Sequence, residues 1–130
     1  LLNTLLFKTE RISRHTHTNL EQHKYYNQFK NFGDLLEREL AKEKDAKFYA
    51  NAMSISYKHL NEVCKTISSK TAKEFITDFL VLEIKRYLNG TNMSVKEIAY
   101  MLGFDEPTNL HKIFKCETGK TTLEFRQIMH

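Results

Sequence analysis

The 130-residue sequence predicts an all-α fold: two helix-turn-helix subdomains joined by a long central helix. Three observations predict it. Apolar residues recur every three or four positions along most of the chain, the period of a helix with one buried face. A pattern of some thirty residues recurs at a spacing of about fifty. A single proline and four glycines leave few breakers between the periodic segments.

Leu1 to Ile12 reads as a helix whose Leu2, Leu5 or Leu6, and Ile12 form a narrow stripe near the coiled-coil period. Two readings stand for it, a dimerisation helix or a helix from the core of a preceding domain. Ser13 to Lys24 loses the periodicity, is polar throughout and reads as a linker, either partly helical or disordered. Its His15, His17 and His23 lack the cysteine or carboxylate companions of a metal site, so no metal is assigned. From Tyr25 to Lys42 the pattern returns, with Tyr25, Phe29, Phe32, Leu36 and Leu40 on one face. Gly33 interrupts that helix at a cost of about 1 kcal/mol against Ala, which predicts a close packing contact or a kink.

Ala46 to Lys65 and Val95 to Lys115 are two copies of one pattern. In the second, Val95, Ile98 and Leu102 face inward, and Ala99 allows a close helix crossing. Gly103 turns the chain, Phe104 plugs the corner, Asp105 is placed to cap the next helix and Pro107 falls in its first turn. Leu110, Ile113 and Phe114 make an inner stripe, while Thr108, His111, Lys112 and Lys115 face outward. That outer face suits a helix offering donors and positive charge to a DNA major groove. A plain hairpin with a solvated face would look the same, and the repeat decides against it. Tyr49 and Ala50 match Ile98 and Ala99, and Ser54 and Ile55 match Gly103 and Phe104, at a spacing of 49. After the turn the spacing becomes 50: Leu60, Val63, Cys64 and Lys65 match Leu110, Ile113, Phe114 and Lys115. Ser68 to Phe75 continues the match with Thr118 to Phe125.

Ala72 to Asn89 lies between the copies as one long helix. Phe75, Phe79 and Leu82 line one strip and Ile76, Leu80, Ile84 and Leu88 the adjacent one, so both neighbours must bury it. At about 1.5 Å per residue it spans roughly 27 Å. Hairpins at its two ends would hold their outer helices about one DNA turn apart, ~34 Å. Asn89-Gly90 predicts a left-handed stop, and Ser94 with Glu97 a capping box for the helix that follows.

The pattern F-Y-A-x2-M-x-I-S-x2-H-L-x3-C-K, a long helix ending L-E-I-K-R-Y-L, and S-V-K-E-I-A-Y-M-L-G-F-D-E-P-T-N-L-H-K-I-F-K-x3-G-K-T-x3-F-R resembles the DNA-binding domain of the AraC/XylS family of bacterial transcription regulators. The resemblance covers about Phe29 to Arg126. It implies a homeodomain-like, AraC-type domain over 25–130, with helix-turn-helix units at about 46–67 and 94–117 and a connecting helix at about 72–89. Residues 1–24 would be the tail of an N-terminal sensor or dimerisation domain plus a linker. The implied partner is double-stranded promoter DNA, with RNA polymerase and a second copy of the chain as further partners. An effector would bind in the preceding domain.

By register, the resemblance implies base reading by Ser56, Lys58, Asn61 and Glu62 in the first unit and by Pro107, Thr108, His111 and Lys112 in the second. Lys58 and Lys112 suit guanine or a phosphate, Asn61 suits adenine, and Glu62 suits a cytosine amino group. Lys65, Lys70, Lys115 and Lys120 would meet phosphates, as would backbone N–H groups near Thr71 and Thr121. The chain departs from the family at Ser69, where glycine is usual, at Cys64, where an aromatic is usual, and at Thr122, where proline is common. Glu62 replaces a basic or amide residue, and either reads cytosine or marks a first unit that contributes little.

Composition agrees. The net charge is +4 and the pI about 9.0, suited to an acidic partner. Cys64 and Cys116 form no metal-binding pair or disulfide framework and fit a reducing cytoplasm. No apolar run approaches the roughly 20 residues of a membrane span. There is no glycine-rich phosphate loop, nucleophile triad or carboxylate pair, so neither an enzyme nor a cofactor is expected. The competing reading is a helical module binding an acidic protein.

Overall fold

The computed structural model describes residues 16–129, and among them every regular element is a helix. They are α1 (Thr16–Glu39), α2 (Ala46–Ala52), α3 (Tyr57–Ser68), α4 (Ala72–Gly90), α5 (Val95–Met101), α6 (Pro107–Thr118) and α7 (Thr122–Met129). The expected Leu1–Ile12 helix lies outside the described residues.

α1 buries Phe32 and Leu36, and Leu40 just past its end is buried too, as the periodicity requires. It starts at Thr16 rather than Tyr25, so residues 16–24, read from sequence as linker, are helical. Once the buried turns have nucleated the helix, each further residue adds a backbone hydrogen bond at little cost. Leu20 stays 66 % exposed. The expected close contact at Gly33 is missing: a Cβ there would meet nothing within 4 Å.

α2 and α3 form the first hairpin. Asp45 caps α2 by accepting from the Lys47 N–H at 3.0 Å. Tyr49 is fully buried, and its hydroxyl donates to the Glu43 carbonyl at 2.5 Å. Burial, aided by Glu39 and Glu43, pushes its pKa up to about 12. Cys64 belongs to the core, as expected, and burial pushes its thiol up to about 12.

α4 is unbroken and floors both units. At its start Phe75 packs on Phe29 and Phe32 of α1, with centroids 4.8 and 5.6 Å apart. Toward its end Ile84 and Leu88 are fully buried, in one core with Ile98, Leu110 and Phe114 of the second unit. Leu82, expected inside, is 46 % exposed, because two flanking units leave a third side of the rod open.

The left-handed stop expected at Asn89-Gly90 does not form. α4 runs through Gly90 and ends at Thr91 in extended conformation, φ −139°. Arg126 of α7 makes such a stop unnecessary. Its guanidinium donates to the carbonyls of Leu88 at 3.0 Å, Tyr87 at 3.4 Å and Thr91 at 3.3 Å, which places a cation at α4's negative end. The left-handed positions lie elsewhere and obey the repeat: Ser54 (φ 59°) and Gly103 (φ 77°) in the turns, Ser69 (φ 64°) and Gly119 (φ 76°) after the outer helices.

A candidate nucleic-acid interface

α3 and α6 are the outer helix of each hairpin. Ser56 caps α3, its Oγ accepting from the His59 N–H at 3.0 Å. α6 begins differently: Asp105, the expected cap, does not serve. The N-cap is Glu106, which makes no side-chain cap hydrogen bond, and Pro107 at the first position has no N–H to satisfy. Beyond these starts each helix turns an inner stripe to the core and an outer one to solvent.

On α3, Lys58, Glu62 and Lys65 are exposed at helical spacing. On α6 the equivalent positions carry Thr108, Lys112 and Lys115, also exposed. The two outward faces thus match in register and differ in charge, Glu62 standing where the second unit has Lys112. Tyr57, exposed at the first position of α3, occupies the place of half-buried Pro107 and was not singled out from sequence. The repeat spacing of 50 would have found it.

Two expected readers are tied down. Asn61 is half-buried and its Oδ1 accepts from the Ala72 N–H at 2.9 Å, satisfying one of the free donors at the start of α4. At the equivalent place His111 Nδ1 lies 3.3 Å from the Thr122 hydroxyl at the start of α7. Thr122, only 3 % exposed, is the one buried polar residue among those described. Each outer helix is therefore strapped across its middle to the helix after it. The second strap uses the position where the family usually has proline.

The supporting cations divide. Lys65, Lys115 and Lys120 are exposed, but Lys70 is ion-paired with Asp78, which raises its pKa first by their hydrogen bond and then by charge. The recess of about 260 Å³ around it is lined by Lys70, Lys73, Glu74, Thr77, Asp78 and Glu117, a mixed set that does not favour phosphate. At the helix starts near Thr71 and Thr121 the threonines' own N–H groups are used within the chain. Both N–H groups already donate to a carboxylate, Glu74 and Glu124 respectively, each at 2.8 Å. The Glu74 and Glu124 N–H groups donate back to the threonine hydroxyls at 3.1 and 3.0 Å. These reciprocal boxes hold both carboxyls below the ordinary carboxylate range, chiefly through the backbone hydrogen bond. The expected Ser94–Glu97 box is present as well.

A model of the helix-turn-helix domain family matches residues 49–128. The chain is 33 % identical over 70 residues to the bifunctional transcriptional activator/DNA repair enzyme AdaA of Bacillus subtilis, and 31 % identical over 78 residues to the probable transcription factor PqrA of Proteus vulgaris. Those alignments take in 54 % and 60 % of this chain, and it spans only 33 % and 64 % of the relatives' own lengths. Its fold is that of an AraC-type DNA-binding domain-containing regulator from Chromobacterium violaceum, at a TM-score of 0.70, 15 % identity, and coverage of 78 % of this chain and 91 % of the other. It is also that of the AdpA DNA-binding domain solved with a target DNA, at 0.68, 19 %, 75 % and 88 %. With the family model matched over more than half its length, on two hairpins flanking one helix, the chain belongs to the AraC-type family of helix-turn-helix domains.

Proposed function

We propose that the chain binds double-stranded DNA sequence-specifically as part of a bacterial transcription regulator, α3 and α6 entering successive major grooves. One observation carries this reading: two hairpins of the same build present exposed, lysine-bearing helices on either side of a single unbroken helix. The exposed readers are then Lys58 and Glu62 on α3 and Thr108 and Lys112 on α6, with Ser56 and Pro107 near the backbone at the helix starts. A lysine suits guanine O6/N7 and a carboxylate suits cytosine N4. His111 keeps Nε2 for a base while Nδ1 is engaged, and Asn61 acts by holding α3 rather than by reading adenine. Lys65, Lys115 and Lys120 supply sequence-independent affinity at phosphates. Lys70 contributes only where DNA displaces Asp78.

No catalysis is proposed for this domain. Its setting is the cytoplasm, where promoter DNA and RNA polymerase are met. A preceding domain would supply effector binding and any dimer contact through Leu1–Ile12. No described helix is long and apolar enough to cross a membrane.

The test is binding to duplexes that the 130-residue chain recovers from a random library, read by electrophoretic shift. Affinity should fall with salt at a log-log slope near −0.9 per phosphate neutralised. Lys112→Ala should cost about 1 to 3 kcal/mol on the recovered site and relax one base position, whereas Lys120→Ala should weaken all sequences alike. A chain that recovers no duplex at 50 mM salt sinks the proposal.

A further inference from the structure

The two units meet at a second place besides α4. The Lys44 ammonium, in the turn between α1 and α2, donates to the Leu102 carbonyl at 2.6 Å and the Leu40 carbonyl at 3.3 Å. Leu102 caps the end of α5, and Leu40 follows the last residue of α1. One cation therefore lies between the carbonyl ends of two helices from different units, the farther of them 58 residues from Lys44 in the chain, where both helix dipoles favour it. The Phe104 ring lies 5.1 Å beneath the same ammonium. Beside it the backbones touch: a Cβ on Gly103 would fall 1.7 Å from the Ala41 carbonyl oxygen. Burial lowers the Lys44 pKa, which marks an ammonium drawn in from solvent, and Asp105 and Glu43 partly offset it.

We infer that Lys44 is a positioning residue that locks the rotation of the second hairpin against the first, and so fixes the spacing and phase at which α3 and α6 meet DNA. A rod contact alone resists bending but lets a hairpin rock about its axis. A charged contact off that axis removes the rocking. The inference rests on the reading of α3 and α6 as the two groove-entering helices. Inserting one base pair between two half-sites moves the far one by about 3.4 Å and about 34° around the duplex. A locked pair of helices cannot follow that movement, and a loosened pair can.

The experiment compares the wild-type 130-residue chain with Lys44→Met, which keeps an unbranched side chain one atom shorter and loses its charge. Nitroxides are placed on Cys116 and on Thr66→Cys, equivalent exposed positions of α6 and α3. Cys64 is fully buried, with its thiol pushed up to about 12, and stays unlabelled. The wild type should give one narrow distance distribution without DNA, and Lys44→Met one at least twice as wide at unchanged helix content. On a duplex recovered from a random library, one inserted base pair should weaken the wild type at least tenfold and the variant no more than threefold. An unchanged distance distribution overturns the inference, as does a broadened one that leaves the spacer penalty intact. A wild type that recovers no duplex would remove the DNA reading while the distance measurement still decides whether Lys44 holds the units in register.

Discussion

Asn61 separates holding a helix from reading a base, because its two roles respond oppositely to two substitutions. Asn61→Ala deletes the acceptor of the Ala72 N–H, which belongs to a fully buried residue. An unsatisfied buried donor costs about 1–3 kcal/mol. Asn61 is half-buried and water reaches part of the gap, so about 1.5 kcal/mol is expected, or a fall in Tm of about 6–12 °C for a domain near 100 residues. Asn61→Asp keeps an oxygen at the same place and adds a charge that the start of α4 favours by about 0.3–1 kcal/mol, while deleting the amide donor that adenine recognition requires. Urea unfolding followed by circular dichroism should therefore show Asn61→Ala destabilised and Asn61→Asp within about 0.5 kcal/mol of wild type. Base preference on recovered duplexes should be unchanged in Asn61→Ala once the folded fraction is accounted for. A loss below about 0.5 kcal/mol in Asn61→Ala, together with lost discrimination for adenine at one position, would refute the strap.

Three further outcomes are expected. Ser54→Gly and Ser69→Gly should each stabilise by about 0.5–1 kcal/mol in urea unfolding, since both serines hold left-handed backbone that the second unit gives to Gly103 and Gly119; destabilisation at both would show the turns relaxed. Arg126→Met should lose about 2–3 kcal/mol, with amide protection falling first around Tyr87 to Thr91, because several charge-assisted bonds to carbonyls disappear together. The carboxyls of Glu74, Glu97 and Glu124 lie below the usual 4.5 when folded, so their stabilisation is full above that pH and is lost as pH falls through the depressed folded values. A chain carrying Gln at all three positions should show a flatter decline from pH 5 to pH 3, and equal slopes would count against the boxes.

The helices and the duplication were readable because they rest on local pattern. Apolar spacing places Phe32, Leu36, Ile84 and Leu110, and the repeat places both turns. The straps were legible only as residues of the right type, since Asn61 looks the same whether its amide faces a base or the Ala72 N–H. Capping by Thr71–Glu74 and Thr121–Glu124 was within reach, since each pair is a T-x-x-E inside the repeated segment. Arg126 closes the family signature, yet its role is not legible there because its partners lie some 35 to 39 residues away. Nothing local marks Lys44, whose partner Leu102 is further still. What escaped the sequence is long-range bonding between side chains and backbone, which leaves no periodicity.

The shared helix also sets how the domain comes apart. Stacked repeats with separate cores can open one module at a time, but here Ile76, Leu80, Ile84 and Leu88 of a single α4 belong to one continuous buried cluster shared with both hairpins. Melting either end would strip the wall from its neighbour, so heat or denaturant should take both in one concerted transition. Such a molecule offers DNA both of its grips or neither.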